Sequence, residues 1–104
     1  MPNVAPLPVL ALYARPECSL CDEARSAIEL TLADRRERGL PIPTLVERDI
    51  EADPELHRRY LERIPVVELG TRRVELIVTV GKMRHLLSEA IDGDVVAAPE
   101  ATTR

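Results

Sequence analysis

Val9-Leu10-Ala11-Leu12-Tyr13-Ala14-Arg15-Pro16-Glu17-Cys18-Ser19-Leu20-Cys21-Asp22-Glu23-Ala24 is the stretch that decides the fold. Its first six residues form a short, mostly apolar run, bounded by Pro8 before and Arg15-Pro16 after, which is the pattern of a buried strand with neighbours on both sides. Beyond Pro16 the period changes. Leu20, Ala24, Ala27, Ile28 and Thr31 recur at helical spacing, while Asp22, Glu23, Arg25, Glu29 and Arg36 fall mainly on other faces. The spacing predicts an amphipathic helix over about 18–38, ended by Gly39. Cys18 and Cys21 stand where strand gives way to helix.

Working outward, Pro41 and Pro43 make a stiff connection to a second strand, Thr44 to Ile50. Asp53-Pro54-Glu55 is a helix start in which Asp53 caps and Pro54 occupies the first turn, and this helix is expected to reach about Glu62. Strand, helix and strand in close succession make a βαβ unit with parallel strands. Pro65 to Leu69 and Arg72 to Val80 flank Gly70-Thr71, a two-residue loop with Gly first, as a type II′ hairpin turn prefers. Gly81 is expected to break that strand, Lys82 to Ile91 to form the last helix, and the residues from Asp92 onward to fray as a tail. The resulting order is βαβαββα. A mixed four-stranded sheet with helices on both faces buries these elements most economically, as one α/β domain with a core over about 8–91.

Composition narrows the function. The chain has 104 residues, and a domain of that size buries enough surface to need no disulfide or metal for its core. It carries a net charge of −4, two tyrosines (Tyr13 and Tyr60), no Phe and no Trp, so it lacks the basic groove and stacking platforms of a single-stranded nucleic-acid binder. Its basic residues are thirteen Arg and one Lys, spread among acids as on a solvated surface. No apolar run approaches a membrane-spanning length, and prolines interrupt the N-terminal residues where a signal peptide would need an apolar run. A cytoplasmic protein, without membrane or nucleic-acid partners, is expected.

The chemistry lies in Cys18-Ser19-Leu20-Cys21. Two cysteines at i and i+3 on a first helical turn face the same way and are close enough to form a disulfide. The free backbone N–H groups and the positive end of the helix dipole favour a thiolate on the first of them. Glu17 and Asp22 oppose that effect and Arg15 supports it. Such a pair suits thiol–disulfide exchange, with Cys18 as the exposed nucleophile and Cys21 as the resolving thiol. Two other readings stay open: a metal or iron–sulfur cluster site through Cys18, and inert cysteines. A structural zinc site is not indicated, because His57 and His85 lie at no suitable spacing and read as surface or helix-face residues. Tyr60 reads as a core residue and Asp49 as a strand-end cap, with a buried proton acceptor near Cys21 as the alternative reading of Asp49.

The segment from Leu12 to Ala24 resembles the active-site segment of small bacterial glutaredoxin-like proteins of the thioredoxin superfamily. The resemblance continues through Asp49 to Leu56 and Tyr60 to Ile64-Pro65-Val66-Val67, and covers roughly 8–91. It implies a thioredoxin-like fold and a dithiol–disulfide oxidoreductase working through a redox-active Cys18–Cys21 disulfide without a further cofactor. It also implies that Ile64-Pro65 is the cis-proline pair facing the cysteines, with the Ile64 backbone available to a substrate peptide. Tyr13 and Arg15 are then expected at the substrate groove. The implied partners are a protein or low-molecular-weight disulfide and an electron donor such as glutathione or a thioredoxin reductase system, with the protein itself a monomer. The chain departs from glutathione-using glutaredoxins in three places: Ser19-Leu20 between the cysteines, Arg63-Ile64 before the proline, and Gly81-Lys82-Met83 where a double glycine and acidic residues are usual. Lys82 or Arg84 remains as a cation for a carboxylate at that last place.

Overall fold

The computed structural model describes residues 7–92. Strand β1 (Leu10–Ala14) runs into helix α1 (Ser19–Glu37), which returns the chain to strand β2 (Leu45–Asp49). A short 3₁₀ turn (Ile50–Ala52) leads to helix α2 (Pro54–Tyr60), and strands β3 (Val66–Leu69) and β4 (Arg72–Glu75) precede helix α3 (Val80–Ala90). The sheet order is β2-β1-β3-β4. β1 pairs in parallel with β2 and antiparallel with β3, and β3 and β4 form an antiparallel hairpin. The expected mixed four-stranded α/β architecture is the one observed.

β1 is central, but its burial alternates. Leu10, Leu12 and Ala14 are buried and Ala11 and Tyr13 only half-buried, because the two faces of the sheet are covered unequally. On the Leu12 face α1 and α3 pack against each other, and α3 also packs on β3 and β4. Leu10, Leu12, Val67 and Leu69 are wholly buried, each contributing about 1.5–3 kcal/mol of apolar burial. On the other face the short α2 reaches the sheet through Tyr60, whose ring stacks on Tyr13 at 4.6 Å, while the Tyr60 hydroxyl donates to Glu68 at 2.8 Å. Apart from Tyr60, Cys21 and Met83, the buried hydrophobic residues described are aliphatic.

Local chemistry explains the element ends. Asp53 caps α2, its carboxylate accepting from the Glu55 N–H at 2.9 Å, with Pro54 in the first turn. Asp49 caps the 3₁₀ turn through the Glu51 N–H at 2.8 Å, which is the capping role and not that of a buried acid. Gly70 turns the hairpin at φ +62 and Thr71 keeps a negative φ, as a type II′ turn requires.

Three expectations are corrected. β4 ends at Glu75 and not at Val80, because Leu76 adopts φ +68 and the Ile77 N–H closes on the Glu75 carbonyl at 2.8 Å, a γ-turn that takes the chain out of the sheet. α3 accordingly starts at Val80, capped by the Thr79 hydroxyl on the Lys82 N–H at 3.1 Å, so Gly81 lies within its first turn and does not end a strand. Asp92, assigned to the tail, is held by a two-bond pairing with the buried Arg35 at 3.0 and 3.1 Å. The rest of the expected tail lies outside the described residues.

Candidate active site

Four segments meet at the end of the sheet where β1 terminates. β1 feeds the loop 15–18. Tyr13 faces Val66 in the register of β1 with β3, so the residue before Val66, Pro65, lies across from Ala14. Val66 faces Glu75 across the hairpin, and the next residue, Leu76, donates its N–H to the Pro65 carbonyl at 2.8 Å. α1 and α3 both begin at this end. Two registers thus bring the sequence-distant Pro65 and Leu76 to the end of β1 from which the short loop to Cys18 leaves.

Cys18 is the N-cap of α1. Its backbone is extended (φ −130, ψ 108), and its Sγ accepts the Cys21 N–H at 3.2 Å, the place a Ser or Asp side chain takes in an ordinary cap. It is partly exposed, whereas Cys21 is wholly buried, and both are free thiols. Burial is the main reason the Cys21 thiol is pushed up to about 11, with the Cys18 side chain adding to it and Arg15 pulling the other way. Cys21 therefore holds its proton at neutral pH, and the accessible sulfur is the one aligned with the helix N–H groups. The preceding residue, Glu17, takes φ +57, a conformation rare outside glycine that turns the chain sharply into the cap.

The other expected site residues divide. The Ile64-Pro65 bond is cis. Both residues are buried, and the Ile64 N–H is already given to the Tyr60 carbonyl at 3.1 Å, which leaves the Ile64 carbonyl as the group it can offer. Arg15 lies beside the cysteines and donates to the Pro16 carbonyl at 3.3 Å. Tyr13 lies on the α2 face, stacked against Tyr60. Lys82 and Arg84 are both engaged: the Lys82 ammonium donates to the Ile77 carbonyl at 2.9 Å, and Arg84 is 3.6 Å from Asp34. Among the described residues no three His, Cys, Asp or Glu side chains converge as a metal site. The γ-turn at Leu76 and the positive φ of Glu17 escape sequence reasoning, since neither carries the Gly or Asn that marks such positions.

Residues 9–98 match the family described as Glutaredoxin-like domain (DUF836). The chain belongs to this family. The glutaredoxin-like domain also resembles a solved X. campestris protein, the Northeast Structural Genomics target XcR50. The two are 27% identical, with a TM-score of 0.64 over 78% of this chain and 97% of that one. A malarial protein shares the fold at 13% identity, with a TM-score of 0.59 over 80% of this chain and 96% of the other. No curated protein matches the chain. Family and neighbours agree with the thioredoxin-like arrangement of this glutaredoxin-like domain, and no helix among its described residues is long and apolar enough to cross a membrane.

Proposed function

We propose that this glutaredoxin-like domain is a dithiol–disulfide oxidoreductase. The observation that carries the reading is the asymmetry of the two thiols: Cys18, partly exposed, caps α1 and accepts an N–H bond, while Cys21, one turn on, is buried and holds its proton. Cys18 attacks a substrate disulfide as the thiolate, and one substrate sulfur departs as a thiolate. Cys21 then attacks the Cys18 sulfur, its proton passing to one of the two substrate thiolates while the other takes a proton from water. The products are a reduced substrate dithiol and an oxidised Cys18–Cys21 pair. The N–H bond to Sγ is stronger to a thiolate than to a thiol, so it favours the attacking form and serves Cys18 equally well as the leaving sulfur. A second thiol or dithiol, from glutathione or a thioredoxin reductase system, returns the pair to its reduced state. The protein acts as a monomer, with no further cofactor.

The test is single turnover of the pre-reduced protein on a peptide disulfide. Cys18→Ser is expected to abolish reduction, and Cys21→Ser to accumulate a mixed disulfide visible by intact mass. Comparable residual turnover in the two variants would overturn the assignment of roles.

A further inference from the structure

The rim of the Cys18 site has a feature that the exchange chemistry does not need. Between β4 and α3 two large aliphatic side chains face solvent, Leu76 at 43% exposure and Ile77 at 51%. They are displayed on a braced loop. The Leu76 N–H is bonded to the Pro65 carbonyl, the Ile77 N–H to the Glu75 carbonyl, and the Ile77 carbonyl takes the Lys82 ammonium. Val78 is buried just beyond, and Thr79 caps α3. Five fixed points in four residues hold the two side chains out beside the cis proline.

The charges of the same rim are equally specific. Glutathione carries two carboxylates, and its oxidised form four, so a site for it needs cations near the reactive sulfur. Of the cations at the start of α3, the Lys82 ammonium is drawn onto the Ile77 carbonyl and Arg84 lies 3.6 Å from Asp34, whose carboxyl Arg38 and then Arg84 hold below the usual carboxylate range. Arg63, before the cis proline, faces Glu75 at 3.6 Å. Within 15–23 the only cation is Arg15, against Glu17, Asp22 and Glu23. The lip beside the cis proline is apolar, and the segment 15–23 around the cysteines carries three acids to one base, with Asp22 paired to Arg25 at 2.9 Å.

Building on the oxidoreductase reading above, we propose that Leu76 and Ile77 are the specificity-determining residues of the site and select a disulfide within a polypeptide, flanked by aliphatic side chains, over oxidised glutathione. The selection works in both directions. Aliphatic neighbours of the substrate cysteine bury against the exposed halves of Leu76 and Ile77, while the carboxylates of glutathione meet Glu17 and Glu23 beside the cysteines, with Arg15 as the one cation of that segment. The redox step is the one already written: two electrons pass from the Cys18 thiolate and the Cys21 thiol to the substrate disulfide, Cys21 supplies one proton and water the other, and an oxidised pair and a reduced peptide remain.

The experiment measures single-turnover oxidation of the pre-reduced protein, freed of reductant, by thiol loss. The oxidants are a peptide disulfide with Leu and Val beside its cysteines, a matched peptide with Ser and Glu there, and oxidised glutathione. The wild-type protein is expected to react about tenfold faster with the aliphatic peptide than with either of the others, the margin that half-burial of two aliphatic side chains supports. Leu76→Asn with Ile77→Ser, chosen because Asn tolerates a positive φ, is expected to erase that margin, bringing the rates on the two peptides within about twofold of each other. Ile77→Ser alone, with no backbone demand, is expected to remove part of it. Equal wild-type rates on the aliphatic peptide and glutathione would overturn the selectivity while leaving the oxidoreductase reading intact. So would variants that slow all three oxidants alike. If no disulfide oxidises the wild-type pair, the oxidoreductase reading itself fails.

Discussion

Cys21 shows how one buried atom ties stability to the redox site. Its thiol is raised from 9.0 to about 11, first by burial and then by the Cys18 side chain. The native state therefore keeps the proton after the unfolded chain has begun to lose it. Below pH 9 both states are protonated and nothing is lost. Between about 9 and 11 ionisation favours the unfolded chain, so native stability should drop by about 1 kcal/mol at pH 10 and about 2 kcal/mol at pH 11. Urea midpoints of the reduced protein across this range should show the decline, and Cys21→Ala should flatten it by the same amount. The cysteine pair was legible in the sequence because the signal is local: two thiols one helical turn apart, after a strand and before an apolar stripe. The left-handed Glu17 just before them was not, because a Glu at φ +57 is imposed by the meeting of strand and cap and leaves no mark in residue type.

At the scale of elements, the loop between β4 and α3 is where local preference and tertiary demand part. Leu76-Ile77-Val78-Thr79-Val80 has the composition of a strand, and reading it as one was sound on propensity. The fold needs Val78 in the core and Thr79 as a cap, so the chain leaves the sheet at Leu76 through a γ-turn that no Gly or Asn announces. A leucine at φ +68 costs roughly 1–2 kcal/mol that a glycine there would not. Glycine returns part of this through the greater freedom of its unfolded chain. Leu76→Gly relieves that strain but gives up a half-buried leucine side chain, so it should stay within about 1 kcal/mol of wild type, whereas Ile77→Gly, at an ordinary φ, has no strain to relieve and should lower stability by more. Thermal midpoints of the two variants beside wild type decide the matter. At α2 the sequence is the better guide: Asp53-Pro54 begins the helix as expected, because a cap and a first-turn proline act within a few bonds of each other.

The molecule as a whole is closed at the end opposite the cysteines by Arg35. This residue continues the buried stripe of α1, four positions after Thr31, so the helical period contained it; a charged side chain was simply not expected on the core face. Its Nε donates to the Pro41 carbonyl at 2.7 Å, and its two terminal nitrogens hold Asp92 just after α3. One guanidinium thus fastens α1 to the connection before β2 and to the chain after α3 with three of its five N–H donors. Removing it strands the Pro41 carbonyl and the partly buried Asp92 carboxylate together. Breaking a buried pair in this way costs about 3–5 kcal/mol, and the share of Asp92 still open to water lowers the expected loss for Arg35→Met to about 2–3 kcal/mol. Asp92→Asn keeps a hydrogen-bonding partner and should cost less than half as much. Because the lock lies at the far end of α1 from Cys18, single-turnover oxidation of Arg35→Met, measured well below its unfolding temperature, should stay within about twofold of wild type while the urea midpoint falls. A comparable loss of exchange rate in the folded variant would show instead that Arg35 sets the position of the whole helix on which Cys18 and Cys21 are carried.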